Sequence, residues 1–570
     1  MITPSRKKKV SVASLLASTV VAAVVLFGCA GQAPPPGGPP DTTPPEIIGS
    51  FPLPNALHFK GQRIALKFSE YVDRSSVEQS VFFSPPVGFV TFDWGGTDVE
   101  ISFTDSLHQN TTYIMTLGTD VMDRRNHNKM ASAFALPFST GERIDSAAVE
   151  GKVFATPSEG VMIFAYKLNG ISADTLNPAH TKPYYLTQSG KDGTFRLTNI
   201  SPGLYRLIAV RDQYKNLLYD PQIDEFGTPN GDIVVEESVQ PVRGINFRMA
   251  KEDTSSPFVS SAKPTDRSHV VIRLSEPFKP ATHTEDISIV DTLKGSRLEV
   301  TDVAFPGDSP ADIQLLTARQ DSGAGYRLTL SHLQDLAGNV IAGPAASGVF
   351  SGSSAADTVK PGVSLFGIQD SARNVQWDDT LTLAFTEGVA RTPIEHSFSM
   401  HEKGTVAGGE LVWSGSSAAR FIPSAPLQFG TWYSIRIPMD SIRDAAGNCF
   451  HDSLWTVQFR TMEEKLMGSL GGKVQEEHRS PGKIIVTVSE LSGRKEKSRE
   501  TTADTSGAFR FDHLPEGYYK LFAFRDADSN GVYTFGKPFP FTTSEKFSPV
   551  SDSLKVRARW PLEGVVVKLP

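Results

Sequence analysis

The residues of this chain best spaced to hold a metal ion lie in one hexapeptide, DADSNG, from Asp526 to Gly531. Asp526, Asp528 and Asn530 stand at the first, third and fifth places of a twelve-residue calcium loop, and Gly531 stands at the sixth, where the chain must turn sharply. Alternate oxygens converge as such a loop curls around an ion. The twelfth place is Lys537, where a bidentate Glu is needed. A related stretch from Asp212 reads DQYKNL, so that copy is expected to fold without these ligands. A plain Asp/Asn/Gly turn closing two strands accounts for the same residues and is the favoured expectation, with weak calcium binding as the alternative. No other cofactor is expected.

Other reactive side chains are scattered. Glu70, Glu276 and Glu387 recur at the ends of three similar strands, which points to a shared role in the fold rather than to one catalytic acid per copy. A glycosidase needs two carboxyls facing one cleft, and no such pairing is visible. His396 and His401 lie in an expected loop-to-strand region without a third ligand nearby, and read as surface histidines. Six tryptophans, Trp94, Trp377, Trp413, Trp432, Trp455 and Trp560, could stack on sugars, although core or junction packing is the commoner use. The sequence has no H-E-x-x-H, G-x-S-x-G or Walker A stretch. The expectation is a protein that is not an enzyme.

The two cysteines differ in kind. Cys29 closes a segment with a basic cluster, Arg6 to Lys9, followed by an uncharged apolar run from Val10 to Phe27. This is the layout of a secretory signal. Leu26-Phe27-Gly28-Cys29 resembles the bacterial lipobox, which implies lipidation of the Cys29 thiol and cleavage just before it. Phe27 departs from the usual small residue there. From Ala30 to Pro44 come six prolines and three glycines, a stiff tether without a core. At ~3.1 Å per residue it would reach roughly 45 Å from a bilayer. Ala30 is not the Asp of inner-membrane retention, so the resemblance implies the outer membrane with the body on the periplasmic side; surface display stays open. Cys449 then lacks an internal partner and is expected to be a small buried residue, with an intermolecular bridge as the alternative.

Among the 570 residues the formal net charge is −7, and loss of residues 1–28, with four basic groups and no acidic ones, takes it to −11. A mildly acidic body without a basic block excludes nucleic acid as the expected partner. Short β-branched and aromatic runs between turn residues predict an all-β chain of several domains. Two kinds of internal repeat organise it. The first occurs three times. Each copy opens at Asp41, Asp253 or Asp357 on a Thr/Ser-Pro-type stretch, and its early strand ends at Glu70, Glu276 or Glu387. A later strand is led by Tyr113, Tyr326 or Tyr433, and a turn follows at Asp123 (DRRN), Asp335 (DLAGN) or Asp444 (DAAGN). Fifteen residues after each of those Asp stands Phe138, Phe350 or Phe459. These copies resemble the bacterial Ig-like domain of surface-layer proteins, although the first copy lacks the glycine of the turn. The second kind occurs twice, in Asp192–Asp212 and Ser506–Asp526, which share nine of 21 residues without a gap. It resembles the carboxypeptidase regulatory-like, or transthyretin-like, sandwich, a module that is not itself catalytic.

The expected architecture is all-β, with tandem sandwiches behind a signal peptide and tether. Residues 1–28 form the signal, 29–44 the lipidated Cys and tether, 45–142 Ig-like domain 1 and 143–251 transthyretin-like domain 1. Residues 252–354 and 355–463 form Ig-like domains 2 and 3, and 464–570 transthyretin-like domain 2. This order resembles multidomain envelope lipoproteins of the Bacteroidetes–Chlorobi lineage. It implies a non-enzymatic spacer or binding scaffold anchored by its N-terminal lipid, with envelope proteins or glycans as partner classes. The alternative is a glycan-binding or glycan-processing accessory, which would gather exposed aromatic residues beside paired carboxylates. Chained end to end, five such domains would make an elongated, segmentally bent molecule.

Overall fold

In the computed structural model the described residues are 41–569, apart from 169–173, 238–239, 281–282, 306–308, 477–478, 492–496 and 549–552. Cys29, the signal and most of the tether lie outside them. Nearly all regular secondary structure of the described chain is strand, arranged as tandem β-sandwiches. Its helices are short; one, Arg391–Ser397, carries His396 where a loop was expected.

Three sandwiches share one plan. In the first, Ile47–Phe51, Arg63–Phe68, Asp98–Phe103 and Val90–Gly95 form one sheet in that spatial order, and Val81–Ser84, Thr112–Leu117 and Phe134–Ser139 form the other. The third and fourth units repeat the four-stranded order with Val259–Pro264, His269–Leu274, Asp312–Thr317, Val300–Ala304 and with Val363–Leu365, Leu381–Phe385, Ala418–Pro423, Gly409–Ser414. Strand alternation places Ile64, Leu66 and Phe68 on the inner face of the first unit, Val270, Ile272 and Leu274 on that of the third, and Leu381, Leu383 and Phe385 on that of the fourth.

The repeated tyrosine and phenylalanine turn out to be cross-strand partners. Tyr113 lies opposite Phe138, Tyr326 opposite Phe350 and Tyr433 opposite Phe459. Their rings stack with centroids 5.7, 5.3 and 5.6 Å apart. Each tyrosine hydroxyl also accepts the backbone N–H of the residue five positions earlier: His108 at 2.9 Å, Asp321 at 2.9 Å and Gln428 at 2.7 Å. This pins the loop that feeds the strand, as a tyrosine corner does in Ig sandwiches. The constant spacing in the sequence is therefore a register constraint.

The second and fifth units follow another plan, in which the last strand runs parallel to the first. Val242–Arg248 pairs with Ala147–Phe154, and Pro561–Leu569 with Met467–Glu476. Here too a tyrosine is tied back: Tyr205 Oη donates to the Ser201 carbonyl and Tyr519 Oη to that of Pro515, both at 2.8 Å.

The units are not simply strung out. The second and fifth, separated by two whole sandwiches in sequence, pack against each other. Arg248 lies over the rings of Phe522, Tyr533 and Phe535, with centroids 4.3, 4.9 and 5.0 Å away. Phe154 meets Phe547 edge to face at 5.4 Å, and Arg206, paired with Asp232 at 2.8 Å, stacks on Phe541 at 3.6 Å. Thr228 Oγ1 donates to the Phe535 carbonyl, and Ser544 Oγ donates to that of Thr228. The expected end-to-end chain is thus corrected: buried aromatic–guanidinium contacts draw its second unit back onto its fifth.

Candidate functional site

The three-fold repeat brings its acidic residues to one pole of each Ig-like sandwich. The opening Asp, the Glu that ends the early strand and the Asp of the late turn are far apart in sequence, yet the strand order sets them side by side. In the third unit the oxygens of Asp253, Glu276 and Asp335 lie within 4.8 Å of one another, as do those of Asp357, Glu387 and Asp444 in the fourth. In the first unit Asp41 and Asp123 act on Glu70 from the matching positions.

Much of this acidity serves the backbone. Asp123 accepts N–H groups from Arg125, Asn126, His127 and Asn128; Asp335 accepts those of Gly338 and Asn339, and Asp444 that of Asn448. The turn asparagine then reaches the opening segment: Nδ2 of Asn128, Asn339 and Asn448 donates to the carbonyls of Asp41, Asp253 and Asp357 at 2.8, 3.0 and 3.4 Å. The turn thereby holds the entry of each sandwich. The glutamates sit differently. Burial and then the two Asp neighbours push Glu70 and Glu276 above the ordinary carboxylate range, and push Glu387 up to about 7. The shared fold role expected for these residues is therefore an acidic pole, with the turn Asp bound to the chain and the Glu less well satisfied.

The fourth unit's pole has additional neighbours. Asp266 and His269, from the turn between the first two strands of the third unit, approach Asp357 so that all three ligand atoms lie within 4.8 Å. His269 Nδ1 is 2.8 Å from Asp266 Oδ2 and 3.8 Å from Asp357 Oδ2. The same joint carries a contact of Ser416 Oγ with Asp302. Sequence reasoning had no signal for Asp266: ten residues before the repeated Glu, the other copies have Lys60 and Trp377.

At DADSNG the structure adds a residue that spacing did not suggest. Glu545 joins Asp526 and Asp528, their oxygens within 4.8 Å of each other. All three carboxylates receive donors from their own loop. Asp526 accepts the N–H groups of Asn530 and Gly531, Asp528 accepts Asn530 N–H, Asn530 Nδ2 and Thr534 Oγ1, and Glu545 accepts the N–H groups of Ala527 and Thr534. The loop at Asp212 is built the same way: Asp212 accepts Asn216 and Leu217 N–H, and Asp224 accepts Gln213 and Asp220 N–H. Asp212 and Asp224 take the places of Asp526 and Glu545, while Tyr214 stands where the other copy has Asp528. Both loops have the bonding of an Asx-type turn buttressed by a distant acid.

Between the second and fifth units lies a cleft of about 680 Å³, bordered by Lys152, Ser158, Asp192, Arg248, Ser489 and Lys520. The remaining sequence candidates are not drawn together. Cys449 is exposed rather than buried, with Arg443 against its sulfur. His401 is half-buried and bonds Ser399. Trp94 and Trp413 stack on core residues Phe68 and Phe385, and Trp377 packs on Phe429 and His513 at the fourth–fifth junction. Trp432 and Trp560 are exposed, in different units.

Residues 41–140 and 357–461 match the bacterial Ig-like domain family. The segment between Asp253 and Ser351 has the same strand order and the same Tyr–Phe pair. No curated protein matches the sequence. Among solved structures, the N-terminal part of the bacterial S-layer protein SbsC aligns at 12% identity and a TM-score of 0.16 over 36% of this chain and 44% of that one, so less than half of that relative is spanned. The N-terminal four Ig domains of Dscam1 isoform 8.4 align at 11% identity and 0.18 over 73% and 98%. The Bacillus anthracis TIE protein aligns at 8% identity and 0.13 over 94% and 76%. The chain therefore carries bacterial Ig-like domains among its tandem β-sandwiches.

Proposed function

We propose that this chain is an N-terminally lipidated protein of the cell envelope whose tandem sandwiches form a non-enzymatic scaffold. The observation that carries the reading is Cys29, set between an uncharged apolar run and a Pro/Gly-rich tether, ahead of a body in which every described unit is a sandwich. A diacylated or triacylated cysteine gives two or three chains, enough for stable anchoring where one would exchange. The stiff tether holds the body clear of the lipid headgroups, on the periplasmic face of the outer membrane. The closure of the second unit onto the fifth suits a scaffold that presents a defined shape. The scattered positions of the tryptophans give no support to a glycan platform.

Replacing Cys29 tests the anchor. Cys29→Ala is expected to move the protein from the detergent phase to the aqueous phase, or to leave it with an uncleaved signal. A mutant that is cleaved and partitions like wild type would overturn the reading.

A further inference from the structure

The joint between the third and fourth units gathers five potential ligands from four separate stretches of chain. Asp357 stands at its centre. Its side chain is only 5% exposed, its Oδ1 accepts the Val359 N–H at 2.9 Å, and its buried Oδ2 has no hydrogen-bond partner. That oxygen faces His269 at 3.8 Å and belongs to a residue grouped both with Asp266 and His269 and with Glu387 and Asp444. A buried, unpartnered carboxylate oxygen among three further carboxylates is strongly unfavourable unless positive charge compensates it. His269 supplies at most one unit of charge, and its Nδ1 is already engaged by Asp266.

We propose that Asp357, Glu387 and Asp444 of the fourth unit hold one calcium ion at this joint, with Asp266 and His269 of the third unit supporting Asp357. Calcium prefers six to eight oxygens at about 2.4 Å, so ligands on opposite sides of it stand about 4.8 Å apart. The ligand atoms of Asp357, Glu387 and Asp444 fit within that distance. Three carboxylates from non-consecutive stretches can supply part of that number through mixed monodentate and bidentate contacts, and water can complete the shell. This pole differs from that of the third unit in two respects: Asp253 is exposed, and among the described residues none of the preceding unit joins its cluster. It differs from the Asp526 loop in that Asp357 Oδ2 is buried without a hydrogen-bond partner, whereas no carboxylate oxygen of Asp526, Asp528 or Glu545 is so placed. The ion would hold Asp357 at the entry of the fourth unit, facing His269 of the third, so binding it restrains the relative orientation of the two units.

The test uses the full-length chain in detergent, stripped with a chelator. Equilibrium dialysis against calcium is run on wild type, Asp357→Asn, Glu387→Gln and Asp266→Asn, with melting in chelator as the control for folding. Asn and Gln keep the size of the side chain, and Asn at 357 or 266 keeps an oxygen for the local N–H. Asp357→Asn and Glu387→Gln are expected to remove one bound calcium per chain and to abolish the part of the calcium-induced rise in melting temperature due to this site. Asp266→Asn is expected to weaken that site about ten- to hundredfold, as loss of a supporting group at a metal site does. Wild-type binding unaltered by Asp357→Asn, affinity unaltered by Asp266→Asn, or a response to zinc without one to calcium would each overturn the proposal.

Discussion

A single hydroxyl repeated three times anchors the Ig-like units. Tyr326 Oη accepts the Asp321 N–H, and Tyr326→Phe keeps the stack on Phe350 while stranding that donor. The expected cost is about 1–2 kcal/mol, read as a lower melting transition for that unit by calorimetry of the whole chain. A pH effect belongs to the same scale. Glu387 is raised from an ordinary 4.5 to about 7 by burial, then by Asp444 and Asp357, with His269 opposing and Asp266 adding to the shift. The folded state therefore binds this proton more tightly than the unfolded one. In the absence of a divalent cation, the fourth unit is expected to lose stability as pH rises from about 4.5 to about 7, and to lose little more above that. Melting curves of the chelated protein between pH 5 and 8 check this, and Glu387→Gln is expected to flatten the dependence. The tyrosines, the glutamates and the turn aspartates were all legible as repeats. Their meeting at one pole was not, because a period in sequence says which residues are equivalent between copies and nothing about which residues touch within one.

The late turns show what an element can absorb. Gly338 and Gly447 adopt φ of 97° and 92°, and His127 takes φ 59° in the first copy, whose turn is one residue longer. Gly447→Ala forces a Cβ into left-handed backbone and is expected to lower the stability of the fourth unit by about 1–2 kcal/mol in denaturant melts. His127→Gly is expected to change little, since relief of that strain is offset by the greater freedom glycine has in the unfolded chain. The missing glycine in DRRNHN was thus a real departure that the fold tolerates through a fourth N–H bond to Asp123. The loops of the second and fifth units carry the opposite lesson. DQYKNL keeps its first acid, Asp212, and its second supporting carboxylate comes from Asp224, outside the hexapeptide, just as Glu545 does for DADSNG. Local motif spacing cannot register a buttress supplied by a later segment.

Across the whole molecule, the contact of the second unit with the fifth was invisible in sequence because its residues do not recur. Arg248 under three aromatic rings has no counterpart elsewhere in the repeats. Each cation–π contact contributes on the order of 0.5–2 kcal/mol, so Arg248→Ala is expected to loosen the closure. Small-angle scattering should show a larger radius of gyration for this variant at unchanged secondary structure by circular dichroism; an unaltered profile would mean that the Phe154–Phe547 contact and the Thr228 and Ser544 hydrogen bonds suffice. The parallel pairing of Met467–Glu476 with Pro561–Leu569 has a consequence in time. During synthesis or export the chain emerges from its N-terminal end, and this ladder cannot zip until some ninety further residues have followed its first strand. The earlier sandwiches complete their own ladders before then, while the fifth waits on its most distant pairing, the slow step for non-local β contacts. The unit that carries the partners of Arg248 and Phe154 stays unclosed throughout that interval, so a chain stalled or clipped before Pro561 presents an adhesive face, and quality control acting on this protein has a late checkpoint to read.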